Sequence, residues 1–502
     1  MSAHELADRA AERHVVVIGG GVSGLVAARE CAKVGMRVTV LEASDVLGGA
    51  VRRAEIDGVV LDAGAESYAT RGGHVRKLVT ELGLADRVQT PAAGGAWLAG
   101  VPGQEPAPLP KGGILGIPAN PFVDDVRQII GWRGAWRAYV DRLRPPLTIG
   151  HERSLGKLVR SRMGERVLDR LVAPVVSGVY SAHPDDVDVD VAAPGLNAAL
   201  TRVGSLSGAV DSQLGARESA RAGKAPGSAV EGLVGGMSTL VDALRADAEK
   251  LGAVVRTGSL VDAIERTGSA WTVVLAPGPD ADEVEPVESS EPAESTEPSG
   301  PERIDADAVI VATAEPSARA LLSSHVSGLG EAGEAPQIEI VTLLLDAPAL
   351  DAAPRGTGVL TVPGSFTAKA LTHATAKWAW LQEAAGSRHV VRVSFGSQGE
   401  AAATASLDDD AAARLALEQA SAMLGVALSS DQLVGSYRAR FTQSQPASLI
   451  GAGDRRAAAR AAVQKVPGLA VVGAWLAGTG LAQVVPDAAD EADRLRRGLL
   501  WE

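Results

Sequence analysis

Residues 15 to 24 read VVVIGGGVSG, and a second apolar run, RVTVLE, follows and ends at Glu42. This order predicts a strand, a glycine turn, a helix and a second strand that ends in an acid. Gly19, Gly21 and Gly24 occupy the three glycine positions of G-x-G-x-x-G. The first makes a tight turn, the second lets the backbone approach a pyrophosphate, and the third lets the helix pack on the strand. The stretch therefore predicts a dinucleotide-binding fold.

A glycine turn without a ligand is the alternative, and the surrounding residues argue against it. Residues 15–18 form a continuous β-branched run, as a buried parallel strand requires. Leu25, Ala28 and Ala32 recur at helical spacing behind the glycines. The helix N-terminus would face the phosphates with unpaired N–H groups. Glu42 could accept hydrogen bonds from both hydroxyls of an adenosine ribose, which argues against a 2′-phosphate and hence against NADP.

The composition bounds the class of protein. A chain of 502 residues should form two or three domains. Its apolar content of 46% and charged content of 22% are typical of globular proteins. The net charge of −13 argues against nucleic acid as a partner. The single cysteine, Cys31, excludes an internal disulfide and suits a reducing cytoplasm. The eight histidines lack the spacing of metal ligands, so no metal site is predicted.

The N-terminal stretch, MSAHELADRAAERH, is charged and lacks the apolar region of a signal peptide. No run of about 18 apolar residues is free of glycine breaks and turn signals. We therefore expect a cytoplasmic protein, while peripheral membrane contact stays open.

Residues 277–301 are dominated by Pro, Glu, Ser and Asp. Such a segment cannot bury a core, so it predicts a disordered acidic insertion. It lies between WTVVLA and DADAVIVATA, which both read as strands. The simplest interpretation is an extended turn between two strands of one domain.

A second glycine turn lies in residues 467–495, PGLAVVGAWLAGTGLAQVVPDAADEADRL. AVVGA reads as a buried strand, GTGLA as a glycine turn, and the remainder as a helix. Alone, this is an ordinary strand–helix unit. Paired with the N-terminal motif it indicates a flavoprotein, in which the amides at the N-terminus of this helix could stabilise a reduced flavin that carries negative charge.

Further segments carry a family resemblance. They are EASDVLGG at 42–49, DAGAES at 62–67, LPKGGILGIP at 109–118, LVAPVVSGVYSAHPDDVDVD at 171–190, GTGVLTV at 356–362, FTQSQPAS at 441–448 and AGTGLAQVVPDA at 477–488. Together they resemble the amine oxidase and protoporphyrinogen oxidase superfamily, and within it the bacterial oxygen-dependent coproporphyrinogen III oxidases. The resemblance runs from about residue 14 to the end, broken by the acidic insertion.

The resemblance implies an α/β fold with three parts. A discontinuous Rossmann-like FAD-binding domain would comprise residues 13–85, 226–325 and 463–502. A substrate domain with an antiparallel sheet would comprise 86–114 and 326–462, and a helical domain 115–225. The implied reaction oxidises coproporphyrinogen III to coproporphyrin III in haem biosynthesis. It removes six electrons in three two-electron steps, with oxygen as acceptor and hydrogen peroxide as product.

Carried over position by position, the resemblance implies FAD contacts at a set of backbone and side-chain positions. They are Gly19, Gly20, Gly21, Val22, Ser23, Gly24, Glu42, Ala43, Gly49, Gly64, Ala65, Glu66, Ser67, Val261, Phe441, Thr479, Gly480 and Leu481. Two positions depart from the family pattern. Phe441 stands where a tryptophan is frequent, so ring stacking could survive but an indole hydrogen bond could not. Ala65 stands where a proline is frequent.

Hydride loss from the macrocycle is driven by the aromaticity gained, so positioning does most of the work and no catalytic base is predicted. The substrate carboxylates need cations. Arg71 is the first candidate, followed by Lys111 and Lys369, and each could instead be a solvated surface charge. Gly178 and Tyr180 could line the porphyrinogen face, although Tyr180 could equally be a core residue.

Four alternatives stay open. Protoporphyrinogen IX could be the substrate, with two carboxylates in place of four. A flavin amine oxidase would need an aromatic cage, which the aromatic content of 3% disfavours. A carotenoid desaturase would have no use for carboxylate-binding cations. A flavin or porphyrin carrier without turnover is the fourth. Beyond substrate and oxygen, the resemblance implies transient contact with a ferrochelatase that receives the product.

Overall fold

The computed structural model describes residues 3–144, 152–221, 229–277, 301–333, 335–442 and 448–501. The predicted acidic insertion falls almost entirely on residues 278–300, outside the described residues. The strands on either side of it, Ala270–Leu275 and Arg303–Ala306, pair antiparallel, so the two flanks belong to one sheet.

A five-stranded parallel sheet forms the centre of the fold, and the first predicted strand is its middle strand. In spatial order the strands are Val254–Arg256, Arg37–Leu41, His14–Ile18, Ala308–Val311 and Leu469–Val471. The three strands around the middle are continuous apolar runs, because both faces of the sheet are covered.

Helices cover one face of the parallel sheet, and an antiparallel sheet with further helices covers the other. The first face carries Ala3–Glu12, Val22–Ala32, His74–Glu81, Ser238–Lys250 and Leu481–Trp501. The second carries strands Val261–Thr267, Ala270–Leu275 and Arg303–Ala306 and helices Glu315–Leu322, Ala452–Gln464 and Ala474–Ala477. Cys31 is fully buried in the first layer, as a packing residue.

A seven-stranded sheet forms the second large unit of the fold. In spatial order its strands are Leu433–Thr442, Gln337–Leu345, His389–Phe395, Ala370–His373, Gly358–Thr361, Ala96–Ala99 and Ala107–Pro108. All neighbours pair antiparallel except Gly358–Thr361 with Ala96–Ala99. Helix Asp409–Leu424 packs on one face, and helices Ala374–Lys377 and Ala379–Ala385 with the hairpin Arg53–Ile56 and Val59–Asp62 pack on the other.

The third unit is helical. It contains Asp124–Tyr139, Leu155–Met163, Glu165–Val167, a π turn at Leu168–Val172, Ala173–Tyr180, Val189–Ala192, Leu196–Val203 and Leu206–Arg221 around one apolar core. Helix Asp124–Tyr139 is kinked at Gly131, which has φ +70°. The hairpin Gly113–Ile114 and Ile117–Pro118 packs into the same core.

Short elements complete the structure. Three short strands, Tyr68–Ala69, Val230–Leu233 and Val88–Gln89, form a small sheet. Single 3₁₀ turns lie at Ala85–Arg87, Val140–Leu143, Pro184–Asp186, Pro348–Leu350 and Ser430–Gln432. Across the described residues, none of the helices combines the length and the apolarity that a bilayer span demands.

The α/β class predicted from the sequence is confirmed, with a Rossmann-like sheet, a largely antiparallel sheet and a helical unit. The domain limits stay a prediction. Most of helix Ala452–Gln464 falls within the predicted limits of the substrate domain. In the structure this helix packs through Ala459 and Val463 beside the parallel sheet rather than the antiparallel one. It leads directly into strand Leu469–Val471, which ties it to that sheet.

Candidate functional site

The three glycines of the first turn have different surroundings: two are tightly packed and one borders open space. A Cβ at Gly19 would lie 2.7 Å from the carbonyl oxygen of Ala312, and Gly19 has φ +111°. A Cβ at Gly24 would lie 2.0 Å from the carbonyl oxygen of Gly19. A Cβ at Gly21 would meet nothing within 4 Å. Two glycines are therefore required by the fold, while the third opens on the space where a phosphate would lie.

Glu42 lies directly beside this turn. Its Oε2 accepts a hydrogen bond from the Gly20 N–H at 2.7 Å, and its Oε1 accepts from Ser44 N at 3.0 Å and Ser44 Oγ at 2.8 Å. The carboxylate is thus held at the carboxyl end of its strand, at the edge where parallel sheets bind ligands.

Val261 reaches the same edge. The Ser259 N–H donates to the Glu42 carbonyl at 2.8 Å, and Val261 begins its strand two residues later, half-buried. Ala43 is exposed beside them. The structure therefore brings Glu42, Ala43 and Val261 together next to the glycine turn.

The segment after Glu42 closes over the turn. Gly48 donates from its N–H to the Gly20 carbonyl at 3.0 Å. Gly49 has φ +60°, and a Cβ there would meet only the Gly21 Cα, at 3.6 Å. Gly64 lies deeper, since its Cβ would be 2.0 Å from the Ala50 carbonyl oxygen. Gly49 therefore faces the open side of the turn, whereas Gly64 is needed for packing.

Phe441 lies against this segment from the seven-stranded sheet. Its Cζ would be 3.3 Å from a Cβ at Gly64, and the Arg52 guanidinium lies 5.6 Å from the centre of its ring. Ala65 and Ser67 follow, half-buried. The predicted aromatic contact is thus next to the predicted cofactor-facing glycine.

The side chain of Glu66 is engaged in two ion pairs, and its predicted contact with FAD stays a prediction. Its carboxylate accepts from Lys377 Nζ at 2.5 Å and from Arg392 Nη1 at 2.8 Å. Burial alone would raise the pKa of Glu66, but the two cations outweigh it and lower that pKa to about 2. Arg392 Nη2 also donates to the carbonyls of Ala63 and Gly64. The side chain of Glu66 is therefore engaged in joining its loop to the antiparallel sheet.

The second glycine turn lies at the same edge of the parallel sheet as the first. Gly480 has φ +102°, and the helix Leu481–Trp501 begins directly after it and packs against helix Val22–Ala32. The strands before the two helices run parallel in one sheet, so both helices begin at its carboxyl edge. Val22 and Ser23, the first residues of the other helix, are buried there.

Arg71 is fixed beside the second turn. With the Gln483 amide oriented to suit both neighbours, its nitrogen donates to the Thr479 carbonyl at 2.9 Å and its oxygen accepts from Arg71 Nη2 at 2.7 Å. Tyr180 is close by: burial raises the pKa of its hydroxyl, and the charge of Arg71 opposes that rise. The main substrate candidate from the sequence is therefore adjacent to Thr479 and to Tyr180.

Gly178 joins the helical unit to the antiparallel sheet. A Cβ there would lie 2.6 Å from Leu360 Cδ2, so helix Ala173–Tyr180 packs tightly on strand Gly358–Thr361. Lys369 lies near the end of the same helix and donates from Nζ to Ser181 Oγ at 2.6 Å. Lys111, in contrast, is exposed, and its backbone N–H donates to Asp125 at 3.3 Å. No contact among the described residues joins Lys111 to the other candidates.

Sequence reasoning missed Lys377, Arg392 and Gln483. Arg392 carried a readable signal, because a single arginine inside the buried run VVRVSF needs a counter-charge. Lys377 and Gln483 carried none, because each acts on a residue far away in the chain.

The residues present fit a dinucleotide cofactor. The backbone at Gly21 and Gly49 leaves open space, and the Glu42 carboxylate lies at the edge of the sheet beside this space. Thr313, which follows the alanine that packs on Gly19, has a buried hydroxyl without a partner in the described residues. An unpaired buried hydroxyl at this edge is an acceptor or donor for a ligand.

Comparison with known proteins identifies the family. Residues 22–495 match the sequence profile of the flavin-containing amine oxidoreductases. The coproporphyrinogen III oxidase of Mycobacterium tuberculosis strain H37Rv is 30% identical over 485 residues, which cover 93% of this chain and 94% of that protein. The chain belongs to the flavin-containing amine oxidoreductases. The family resemblance seen in the sequence is thus confirmed.

Other coproporphyrinogen III oxidases match over shorter stretches. The enzyme of Propionibacterium freudenreichii is 33% identical over 185 residues, so that the chain spans 34% of its length. The enzyme of Bacillus subtilis is 31% identical over 186 residues, 39% of its length. Among solved structures, a protein described as a putative protoporphyrinogen oxidase from Exiguobacterium shares the fold. Its TM-score is 0.78 at 22% identity, and the match covers 97% of this chain and 99% of that one.

As a member of this family, the chain is a flavoprotein oxidoreductase, and its cofactor is FAD. Of the residues predicted to contact FAD, the two glycine turns, Glu42, Val261 and Phe441 lie along the edge described above. Their individual contacts with the cofactor stay a prediction.

Proposed function

We propose that the protein oxidises coproporphyrinogen III to coproporphyrin III in haem biosynthesis. Each of three steps removes two hydrogens from the macrocycle, and each converts one oxygen molecule to hydrogen peroxide. The observation that carries the proposal is the position of Arg71, held by Gln483 beside Thr479. It provides a cation for a substrate carboxylate next to the turn where the flavin is expected. The name of the mycobacterial relative supports the same substrate.

The residues that would hold FAD are those of the two glycine turns together with Glu42. When bound, FAD supplies a two-electron acceptor that oxygen can regenerate. The chain itself supplies position. Arg71 fixes one edge of the macrocycle, and the contact between Gly178 and Leu360 keeps the helical unit close to the antiparallel sheet. Aromaticity provides the driving force, so orientation matters more than a base.

Protoporphyrinogen IX is the second candidate substrate. A tobacco mitochondrial protoporphyrinogen oxidase is 30% identical over 282 residues, 53% of this chain and 54% of that protein. Both substrates carry carboxylates that Arg71 could bind. In either case the product is a free porphyrin, which a ferrochelatase would receive through transient contact.

Aerobic turnover of the FAD-loaded protein tests the proposal. We would follow porphyrin fluorescence and hydrogen peroxide together, with coproporphyrinogen III and protoporphyrinogen IX in parallel. Three peroxides per coproporphyrin, formed faster than the spontaneous oxidation, support the proposal. If the protein binds FAD but neither porphyrinogen reduces it, the result would point to a carrier or an amine oxidase instead.

Arg71→Ala refines the test. We expect a higher KM for coproporphyrinogen with unchanged FAD content, because Arg71 is exposed and contacts the turn only through Gln483. Unchanged kinetics in this variant would remove Arg71 from the site while leaving the reaction itself standing.

A further inference from the structure

Lys369 is a largely buried cation without a counter-charge. It precedes strand Ala370–His373, and its ammonium donates to the hydroxyl of Ser181 at 2.6 Å. In the part of the chain that the structure describes, no carboxylate lies within ion-pair distance of this ammonium. Burial lowers the pKa of Lys369 to about 8, and no acidic neighbour opposes that shift. The amine is therefore still mostly protonated at neutral pH.

Two buried cations of this protein are paired with carboxylates, whereas the half-buried Arg355 and Arg456 have no ion pair among the described residues. Arg392 contacts Glu66, and Arg29 contacts Asp247 at 2.6 Å. A buried charge normally requires such a partner, because a neutral hydroxyl does not replace the lost hydration. Lys369 differs from Arg392 and Arg29 in having only a hydroxyl as its partner, so a ligand carboxylate could supply its counter-charge.

The position of Lys369 relates it to the candidate substrate site. Tyr180 and Ser181 are consecutive residues at the end of helix Ala173–Tyr180. The charge of Arg71 acts on the hydroxyl of Tyr180, and Ser181 is the hydrogen-bond partner of Lys369. The end of this helix therefore has one cation beside each of its last two residues.

A second unpaired polar group belongs to the same place. The Gln398 N–H donates to the Ser181 carbonyl at 2.8 Å, while the side-chain oxygen of Gln398 is buried without a partner in the described residues. Ser181 itself has φ +53°, a left-handed conformation that is uncommon outside glycine. Unpaired polar groups and unusual backbone at one point are typical of a ligand site.

We infer that Lys369 and Ser181 form a second carboxylate-binding station, which binds a propionate on one of the two pyrroles that carry vinyl groups in protoporphyrinogen IX, while Arg71 meets a propionate on one of the other two. The inference rests on the proposed function. It states that the station determines the selectivity between the two porphyrinogens. Coproporphyrinogen III has a propionate on every pyrrole. Protoporphyrinogen IX has two propionates on neighbouring pyrroles and vinyl groups on the other two.

The selectivity follows from what each substrate presents to the ammonium. A propionate supplies the missing counter-charge through a charge-assisted hydrogen bond. A vinyl group would displace water from Lys369 and leave the charge buried and unpaired. The station would thus favour the substrate with four carboxylates, by attraction in one case and by an unpaired charge in the other.

Lys369→Met tests the station, since it keeps the length and removes the charge. We expect KM for coproporphyrinogen III to rise about 10- to 100-fold, the equivalent of one hydrogen bond to a charged group. KM for protoporphyrinogen IX should stay equal or fall, and kcat and FAD content should be unchanged. Lys369→Arg should retain the preference. Lys250→Met, on an exposed helix end, is the matched control and should change neither substrate.

The pH dependence gives a second readout. For wild-type protein, kcat/KM with coproporphyrinogen should fall above about pH 8, where free Lys369 loses its proton. The Lys369→Arg profile should stay flat in that range. Tyr180 precedes the partner Ser181, and His373 ends the strand that Lys369 precedes. The pKa of Tyr180 is raised above its ordinary value and that of His373 is lowered to about 4, so neither accounts for a change near pH 8.

Equilibrium binding separates the station from the reaction. Coproporphyrin III and protoporphyrin IX are titrated into wild-type protein, Lys369→Met and Ser181→Ala, and porphyrin fluorescence is measured. Weaker binding of coproporphyrin alone in Lys369→Met supports the station even if turnover fails. Equal losses for both porphyrins, or no change for either, would overturn it. If Lys369→Met does not fold, Ser181→Ala decides between these outcomes, because it should show a smaller loss in the same direction.

Discussion

Arg392 Nη1 donates to Glu66 Oε2 at 2.8 Å and joins the loop after the hairpin Val59–Asp62 to a strand of the seven-stranded sheet. The same guanidinium donates to the carbonyls of Ala63 and Gly64, next to Phe441. The alignment of two structural layers therefore depends on one buried carboxylate. Since this loop belongs to the predicted FAD contacts, we expect the ion pair to hold the loop in the position in which it would meet the cofactor.

Glu66→Gln should destabilise the protein strongly. It leaves Arg392 and Lys377 largely buried without their counter-charge. Breaking such a pair costs about 3–5 kcal/mol. Urea unfolding of the FAD-loaded protein measures the change. Asp57→Asn is the control, because the pair of Asp57 with Arg388 is exposed and worth at most about 1 kcal/mol. Equal effects of the two substitutions would contradict the positioning role.

Glu42→Ala should weaken FAD binding by roughly 1.5–3 kcal/mol, the range for a hydrogen bond to a charged group. The carboxylate holds the Gly20 N–H and the Ser44 side chain, so its loss also loosens the edge of the site. Flavin content after dialysis against buffer checks the prediction. Full retention of FAD would remove Glu42 from the cofactor site. Asp45→Ala, at an exposed position nearby, should retain FAD as wild type does.

Gly24→Ala and Gly21→Ala should separate folding from cofactor binding. The new Cβ at Gly24 would lie 2.0 Å from the Gly19 carbonyl oxygen, so Gly24→Ala should lower the melting temperature without FAD. The new Cβ at Gly21 meets no protein atom within 4 Å, so Gly21→Ala should keep that temperature close to wild type. It should still weaken FAD binding at least about tenfold, since it fills the phosphate side of the turn. Unaltered FAD affinity in Gly21→Ala would mean that the cofactor does not approach this backbone.

His373 and Glu66 should each lower the stability in acid, whereas Asp62, whose pKa burial raises to about 7, should add stability as pH falls from 7 towards 4. Burial, helped by nearby His389, lowers the pKa of His373 to about 4. The folded pKa lies below the unfolded value of about 6.5, so this stability is present above pH 6.5 and is lost as pH falls towards 4. Glu66, with a pKa of about 2, adds a loss only below about pH 4.5. His373→Gln should remove the His373 contribution to the pH dependence of the urea midpoint between pH 7 and 5, and a slope equal to that of the wild-type protein would contradict this assignment.

The sequence predicted what short stretches of chain determine. The strand, turn and helix around Gly19 and Gly24 follow from local spacing, because the close contacts those glycines permit are with near neighbours or the adjacent strand. Lys111 and Lys369 looked alike in the sequence, and only burial against Ser181 distinguishes them. Arg392 meets Glu66 across 326 positions, a separation at which no pattern in a single sequence names the partner.

The order of strands in the parallel sheet has a consequence for synthesis. His14–Ile18 is in the middle of the sheet, but Leu469–Val471 at its edge and the helix that follows are made more than four hundred residues later. Almost the whole chain must therefore be synthesised before both glycine turns can lie at the edge of the sheet. Such distant pairing slows folding and leaves the early strands without their neighbours meanwhile. We therefore expect FAD to bind with full affinity only after the last helix, Leu481–Trp501, has been made.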